Sequence, residues 1–175
     1  RANTILDQKD NVVINGESDQ LVFNRLVAQT KCMRAMCYLD LVRLWGDVPL
    51  KLDPSKDGDN FKLPKTDRDE VYAQIITDLK ETFRRGNTFI RLIYISVGIF
   101  VIGTLAAMGL LARAYLFRGG YSLYQDKSIK RPGNYKEYYQ AAQTVLNELI
   151  SSGKHGLIDA DGTYSSGYEK NFRNM

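Results

Sequence analysis

Apolar residues recur at helical spacing along the chain from about residue 19 to residue 45. One stripe repeats at steps of three, four and seven residues and consists of Val22, Leu26, Met33, Cys37, Leu41 and Leu44. A second apolar flank is formed by Ala28, Ala35, Leu39, Val42 and Trp45. A helix with two apolar flanks is expected to pack between neighbouring helices, so Leu41→Asp would bury an unpaired charge. Gly46 and Pro49 end the helix, because glycine accepts left-handed backbone and proline cannot continue a helix.

Three further helices follow from the same periodicity. Asp67 is the expected N-cap of the second, whose apolar face consists of Val71, Ile75, Ile76 and Leu79. The third covers about residues 104–118 and stops at Gly119 and Gly120. The fourth covers about residues 134–152, with an inward face formed by Ala141, Ala142, Val145, Leu146 and Leu149.

The remaining segments are predicted as a helix tail and loops. Residues 1–10 form the tail, residues 11–19 and 47–66 are polar loops, and the glycine- and tyrosine-rich residues after 153 are irregular. The chain is therefore predicted to be all-α, an array of about five helices. A spacing of roughly 35–50 residues per helix pair agrees with a tetratricopeptide-like array with long loops. The pattern alone, however, supports only antiparallel helix pairs.

A hydrophobic stretch interrupts this pattern. Leu92 to Ala112 contains 21 residues without a charge, between Arg91 and Arg113, which is long enough to span a bilayer. Glycines at 98, 103 and 109 interrupt the stretch, and its second half coincides with the third helix. We therefore expect residues 92–112 to lie inside the domain or against a partner, and not to cross a membrane.

Composition and charge limit the possible functions. A chain of 175 residues fits one domain, and its net charge of +4 is too small and dispersed to indicate nucleic-acid binding. Cys32 and Cys37 are five residues apart on one helix, where they cannot form a disulfide, and both are predicted to be core thiols. With His155 as the single histidine, a nucleophilic triad is not expected.

Two acidic motifs resemble parts of a calcium loop. The first consists of Asp53, Ser55, Asp57 and Gly58, but Pro64 replaces the glutamate that the twelfth position requires. The second, Asp159-x-Asp161-Gly162, lacks a third ligand at the right spacing. We predict no metal site and no cofactor.

Paired carboxylates for glycoside cleavage are the main enzymatic alternative, with Asp40, Asp47 and Glu70 as the candidates. Asp47 and Glu70, however, lie at helix boundaries, where turns and capping explain them. Asp40 is expected on an outer helix face. We therefore predict a protein that is not an enzyme.

Tyrosines are the best candidates for contact with a ligand. Aromatic rings stack on sugar rings while their hydroxyl groups form hydrogen bonds, which suits carbohydrate binding. Tyr121 and Tyr124 follow a glycine pair and are the candidate ligand-binding residues, whereas Tyr138 and Tyr139 are expected to pack on their helix. Trp45 is expected to be wedged under the loop that follows it.

Four segments in the right order resemble the SusD/RagB family of outer-membrane nutrient-binding lipoproteins. They are Leu26–Leu50 (ending in DLVRLWGDVPL), Leu63–Leu79 (LPKTDRDEVYAQIITDL), Ala106–Gly120 (AAMGLLARAYLFRGG) and Tyr135–His155 with its SSGK ending. Residues 88–105 depart from the family as an atypical hydrophobic insert. The resemblance implies a SusD-like fold, with residues 1–175 a partial helical domain that is incomplete at both ends.

The resemblance also implies a function and a location. The expected role is a cell-surface subunit that binds an oligosaccharide, or a peptide, and delivers it to a SusC-like TonB-dependent barrel transporter. Family members are held at the extracellular face of the outer membrane by an N-terminal lipid, which would lie outside this chain. The family's helical array chiefly contacts the barrel, so the 47–66 loop would be buried in that complex. A helical-repeat scaffold that binds a protein partner and no small ligand remains the alternative.

Overall fold

Helices dominate the computed structural model, which describes residues 1–60, 62–87 and 104–152. The helices in these ranges are α1 (Ala2–Asp7, continued by a 3-10 turn at Gln8–Asn11), α2 (Glu17–Trp45), α3 (Arg68–Asn87), α4 (Thr104–Gly119) and α5 (Tyr135–Ser151). Between α4 and α5 the chain forms a short antiparallel hairpin of β1 (Ser122–Leu123) and β2 (Ile129–Lys130). The hairpin was not predicted, but the helices begin and end close to the predicted positions.

The helices pack in consecutive pairs around one shared core. α2 packs chiefly against α3 and α4 against α5, while contacts between α3 and α4 join the two pairs. The predicted face of α3 is confirmed, with Val71, Ile75 and Leu79 fully buried. On α5 only Ala142 is fully buried, and Ala141 and Val145 are partly buried against the core. The prediction of an all-α array of helix pairs is therefore confirmed.

Helix α2 buries the flank opposite to the stripe that the sequence favoured. Its buried apolar residues are Val27, Ala28, Cys32, Ala35, Leu39 and Val42. Val22, Leu26, Met33, Leu41 and Leu44 of the predicted stripe are instead 42–68% exposed. Small residues on the buried flank explain the choice, since they allow α3 so close that the Thr82 hydroxyl donates a 3.0 Å hydrogen bond to the Ala28 carbonyl. The expected cost of Leu41→Asp was therefore wrong, because the position is solvated.

The two cysteines have different environments. Cys32 is fully buried, and this burial raises the pKa of its thiol to about 11. Cys37 is exposed on the opposite side of α2. The prediction of two core thiols is thus confirmed for Cys32 and wrong for Cys37, which lies on the solvated stripe.

A buried ion pair connects α2 to α3. The Arg34 guanidinium donates two hydrogen bonds of 2.8 Å to the two carboxylate oxygens of Asp78, which is fully buried. Gln74 donates a third, of 3.1 Å, to the same carboxylate. Arg34 also donates to the Asn3 side-chain carbonyl at 3.2 Å, so the pair extends to α1.

The 47–66 loop is fixed to the helices along its first half. A backbone hydrogen bond of 3.1 Å from Thr66 to Val48 closes the loop. Lys51 is held by the Tyr38 hydroxyl, which donates to the Lys51 carbonyl at 2.7 Å and accepts from its N–H at 2.9 Å. The Asn3 amide donates to the carbonyls of Lys51 and Asp53.

Acidic residues of this loop serve the loop's own structure. The Asp59 carboxylate accepts hydrogen bonds from the Lys51 ammonium at 2.8 Å and from the Lys56 N–H at 3.0 Å. The Lys51 hydrogen bond is the main reason that the pKa of Asp59 lies below its ordinary value. Nowhere in the described ranges do three histidine, cysteine or acidic side chains come together as metal ligands. The motif at residues 159–162 lies outside those ranges.

Only the second half of the hydrophobic stretch falls within the described residues. There, in α4, Ala107, Met108, Leu111 and Ala112 are buried in the helical core. Residues 88–103 lie outside the described ranges, and the expectation for that part stays a prediction. Among the described helices, none has both the length and the apolar composition that a membrane span requires.

Candidate functional site

A cleft of about 410 Å³ opens where the end of α2 meets α4 and the hairpin. Three segments that are far apart in the sequence build its walls. They are residues 42–46 at the end of α2, Arg68 and Tyr72 of α3, and residues 116, 117 and 120–123 at the end of α4 and the start of the hairpin. The cleft therefore forms only when α2, α3 and α4 are packed together.

Exposed apolar side chains converge on this cleft. Trp45 is 73% exposed and Tyr121 is 65% exposed, and both line it together with the exposed Leu44, Leu116 and Leu123. The expectation that Trp45 is wedged under the following loop was wrong. It is the last residue of α2, and its side chain lies largely in solvent at the cleft and not beneath the loop.

Gly46 and Arg68 lie close together in the lining of the cleft. Gly46 has a φ of +72°, which strains any residue with a side chain, and a Cβ there would lie 2.6 Å from a terminal guanidinium nitrogen of Arg68. That guanidinium donates to the Leu123 carbonyl and lies 4.6 Å from the centre of the Tyr124 ring. Glycine is thus required for the turn and for the close approach of Arg68.

Asp47 fixes Arg68 from the other side. One carboxylate oxygen of Asp47 accepts a 3.1 Å hydrogen bond from the backbone N–H of Arg68 and lies 3.5 Å from the Nε of its side chain. The other carboxylate oxygen accepts a hydrogen bond from the Gln125 side chain. The Arg68 Nε has no hydrogen-bond partner although it is buried. Asp47 therefore connects the start of α3 to the hairpin, which accounts for its carboxylate without a catalytic role.

The two predicted tyrosines occupy different positions. Tyr121 lines the cleft, with the Arg131 guanidinium 4.8 Å from the centre of its ring. Tyr124 lies behind Arg68, and its ring has the cations of Arg68 and Lys130 at 4.6 and 4.7 Å. Tyr124 has two cations on a half-buried ring outside the lining, whereas Tyr121 has one cation on an exposed ring in the lining, so Tyr124 is less available for stacking on a ligand. The geometry thus favours Tyr121 over Tyr124 as a ligand contact.

Two phenol groups near the cleft stay protonated at neutral pH. Burial is the largest cause of the raised pKa of Tyr72, which lines the cleft, and of Tyr124 behind it. The negative charge of Asp69 acts in the same direction on both, while Arg68 opposes it. Their hydroxyl groups therefore act as neutral hydrogen-bond donors and acceptors.

The cleft combines aromatic faces with guanidinium donors. Trp45 and Tyr121 supply exposed rings, and Arg43 and Arg68 supply cationic hydrogen-bond donors. Such a combination binds ligands that have both apolar faces and oxygen atoms, as sugars do. Of the residues that line the cleft, the sequence had singled out Tyr121 as a candidate and had placed Trp45 under the loop. Arg43 and Arg68 were not considered, although Arg43 lies in the LVRLWGDVPL segment that carries the family resemblance.

The chain is similar to known SusD-like proteins. A family model of SusD-like proteins, described as starch-binding associating with outer membrane, matches residues 1–116. The SusD-like protein P25 of Formosa agariphila is 34% identical over 79 residues, which cover 45% of this chain and 14% of that protein. The chain therefore spans a small part of the length of such relatives.

Solved structures share the helical array. A SusD homolog from Bacteroides thetaiotaomicron superposes with a TM-score of 0.73 at 25% identity, over 90% of this chain and 28% of that one. A laminarin binding SusD-like protein superposes with a TM-score of 0.59 at 25% identity, over 85% of this chain and 26% of that one. Both are longer proteins, and the helices of this chain correspond to one part of each.

Proposed function

We propose that this chain, which belongs to the SusD-like family of starch-binding proteins that associate with the outer membrane, is part of a cell-surface subunit that captures oligosaccharides. The observation that carries the proposal is the cleft with its two exposed aromatic rings, Trp45 and Tyr121. The similarity to a laminarin binding protein supports a glycan as the ligand class. The function is binding, and no catalytic step is assigned to the cleft.

Binding in this cleft would follow from simple contacts. A sugar ring stacks its C–H face on an exposed indole or phenol, which removes apolar surface of both partners from water. Hydroxyl groups at the ring edge then accept hydrogen bonds from the guanidinium groups of Arg43 and Arg68. Arg68 is held by Leu123 and Asp47 before a ligand arrives, so little conformational entropy is lost there.

Trp45 provides a direct test because it is the single tryptophan of the chain. Titration with a laminari-oligosaccharide is expected to change the intrinsic fluorescence and to saturate. By isothermal titration calorimetry, Trp45→Ala is expected to weaken binding by about tenfold, from the loss of stacking and buried area.

The matched control is Leu26→Ala, which removes another exposed apolar side chain of α2 outside the cleft. It is expected to leave the affinity unchanged. An unchanged affinity for Trp45→Ala, or an equal loss in both variants, would remove the cleft from the binding site.

The second part of the proposal is delivery of the ligand to a TonB-dependent barrel transporter at the extracellular face of the outer membrane. It rests on the resemblance to the SusD/RagB family, and the broad exposed surface of α2 is consistent with a large protein partner. We expect the full-length protein to co-purify with a large β-barrel from outer membranes solubilised in mild detergent. Recovery of the protein alone under those conditions would contradict the delivery role.

A helical-repeat scaffold that binds only a protein partner is the second candidate. The exposed stripe of Leu26, Met33, Leu41 and Leu44 favours it, since soluble proteins rarely expose large contiguous apolar surfaces without a partner. The two functions differ in the calorimetric titration. A scaffold would show no heat of binding with any oligosaccharide and would retain its protein partner in Trp45→Ala.

A further inference from the structure

The charged side chains that line the cleft all have one sign. They are Arg43 and Arg68, and no carboxylate lines the cleft with them. The acids that pair with these arginines lie outside the lining. The Asp47 carboxylate lies 3.5 Å from the Arg68 Nε, and the exposed Asp40 carboxylate lies 3.4 Å from the Arg43 guanidinium. A ligand in the cleft therefore meets positive charge.

Arg43 is the more available of the two cations. Its side chain is 37% exposed, and its ion pair with the exposed Asp40 is of the kind that contributes little in water. Its guanidinium also lies 5.9 Å from the centre of the Phe117 ring in the wall of the cleft. Arg68, by contrast, is buried and engaged by Leu123, Tyr124 and Asp47.

This arrangement suits an anion better than a neutral sugar. Each hydroxyl group of a neutral sugar both donates and accepts hydrogen bonds. A site for a neutral sugar is therefore best served by carboxylate acceptors beside its charged donors. Here the guanidinium groups are donors only. The Asp47 carboxylate already accepts from Arg68 and Gln125, and the Asp40 carboxylate is paired with Arg43 outside the lining. An anionic group needs donors alone, and its bonds to guanidinium are the stronger, charge-assisted kind.

We propose that the cleft selects oligosaccharides that carry an anionic substituent, with a sugar ring stacked on Trp45 or Tyr121 and the anionic group bound by Arg43. The group that Arg43 would recognise is an oxyanion attached to a sugar. Either the carboxylate of a uronic acid or a sulfate ester can supply it. This inference rests on the proposed glycan-binding function and names the ligand class for the same cleft.

The test compares three oligosaccharides of equal length by isothermal titration calorimetry and Trp45 fluorescence. They are a neutral β-glucan oligosaccharide, an oligouronate and a sulfated oligosaccharide. At least one anionic probe is expected to bind about tenfold or more tightly than the neutral one. Its affinity should fall as the salt concentration rises, because salt screens the partly exposed Arg43. The probe that binds more tightly identifies the source of the anion.

Arg43→Gln and Arg113→Gln form the matched pair of variants. Both remove one positive charge, and both remove a guanidinium close to the Phe117 ring, at 5.9 and 5.6 Å, but only Arg43 lines the cleft. Arg43→Gln is expected to abolish the preference for the anionic probe. Arg113→Gln is expected to preserve it.

The outcomes separate this inference from the function on which it rests. Equal affinity for the neutral and anionic probes, or an equal effect of the two variants, would overturn the anion preference while glycan binding stands. Absence of binding by all three probes would overturn the proposed function itself, and the anion preference with it.

Discussion

Replacing Asp78 by alanine is expected to lower the free energy of unfolding by about 3–5 kcal/mol, because it leaves a buried guanidinium without its counter-charge. Arg34 and Asp78 make two hydrogen bonds of 2.8 Å in a site where both side chains are almost fully buried. Without the carboxylate, the Arg34 guanidinium keeps its 3.2 Å hydrogen bond to the Asn3 side chain, which carries no charge to compensate it. Urea denaturation monitored by circular dichroism would measure the loss.

Two further sets of substitutions test whether the loss of stability depends on the burial of the ion pair. Asp40→Ala removes an exposed partner from the Arg43 ion pair and is expected to cost less than about 1 kcal/mol. Replacing both buried partners by apolar residues, as in Arg34→Met with Asp78→Leu, is expected to restore most of the stability, because no unpaired charge remains. Equal losses of stability for Asp78→Ala and Asp40→Ala would show that the buried pair contributes no more than an exposed one.

Shortening Ile75 is expected to produce the second large loss. Ile75 is fully buried in the middle of α3, in the core cluster that α2, α3, α4 and α5 share. Ile75→Ala should lower the free energy of unfolding by about 2–5 kcal/mol and Ile75→Val by about 0.5–1.5 kcal/mol, since each removed methyl group loses burial and leaves a cavity.

The control for Ile75 is the same residue type at the surface. Ile129 on β2 is 71% exposed, and Ile129→Ala should change the stability by no more than about 0.5 kcal/mol. Midpoints of urea denaturation for the three variants would establish the order. A loss of stability for Ile75→Ala no larger than that for Ile129→Ala would show that Ile75 does not lie in the core.

The sequence predicted helix positions well because α3 and α5 each have one apolar face. Helix α2 has two, and periodicity cannot decide between them. The decision depends on shape: Ala28 and Ala35 let α3 come close enough for Thr82 to reach a backbone carbonyl of α2. Larger residues such as Leu26 and Met33, which contribute more to an apolar pattern, remain at the surface.

The cleft was harder to predict than the helices. Tyr121 was a candidate because tyrosine rings can stack on sugars and it follows a glycine pair, and it does line the cleft. Trp45 was missed because its exposure depends on where α2 ends relative to α4 and the hairpin. Arg68 was missed because its position depends on Gly46 and Leu123, which come from distant parts of the chain. Tertiary contacts of this kind leave no local pattern.

The attachment of the 47–66 loop has a consequence for engineering the protein. The two ends of the loop pair at Val48 and Thr66, and Lys51 is anchored to Tyr38. The segment from Ser55 to Gly58 forms a local turn and is exposed. The separation of the loop ends is therefore fixed by anchors that do not involve the tip. A dye-labelling site inserted at residues 56–58 would leave those anchors in place and lie outside the lining of the Trp45 cleft. Because the expected transporter complex would bury this loop, such a dye would report on partner binding separately from ligand binding.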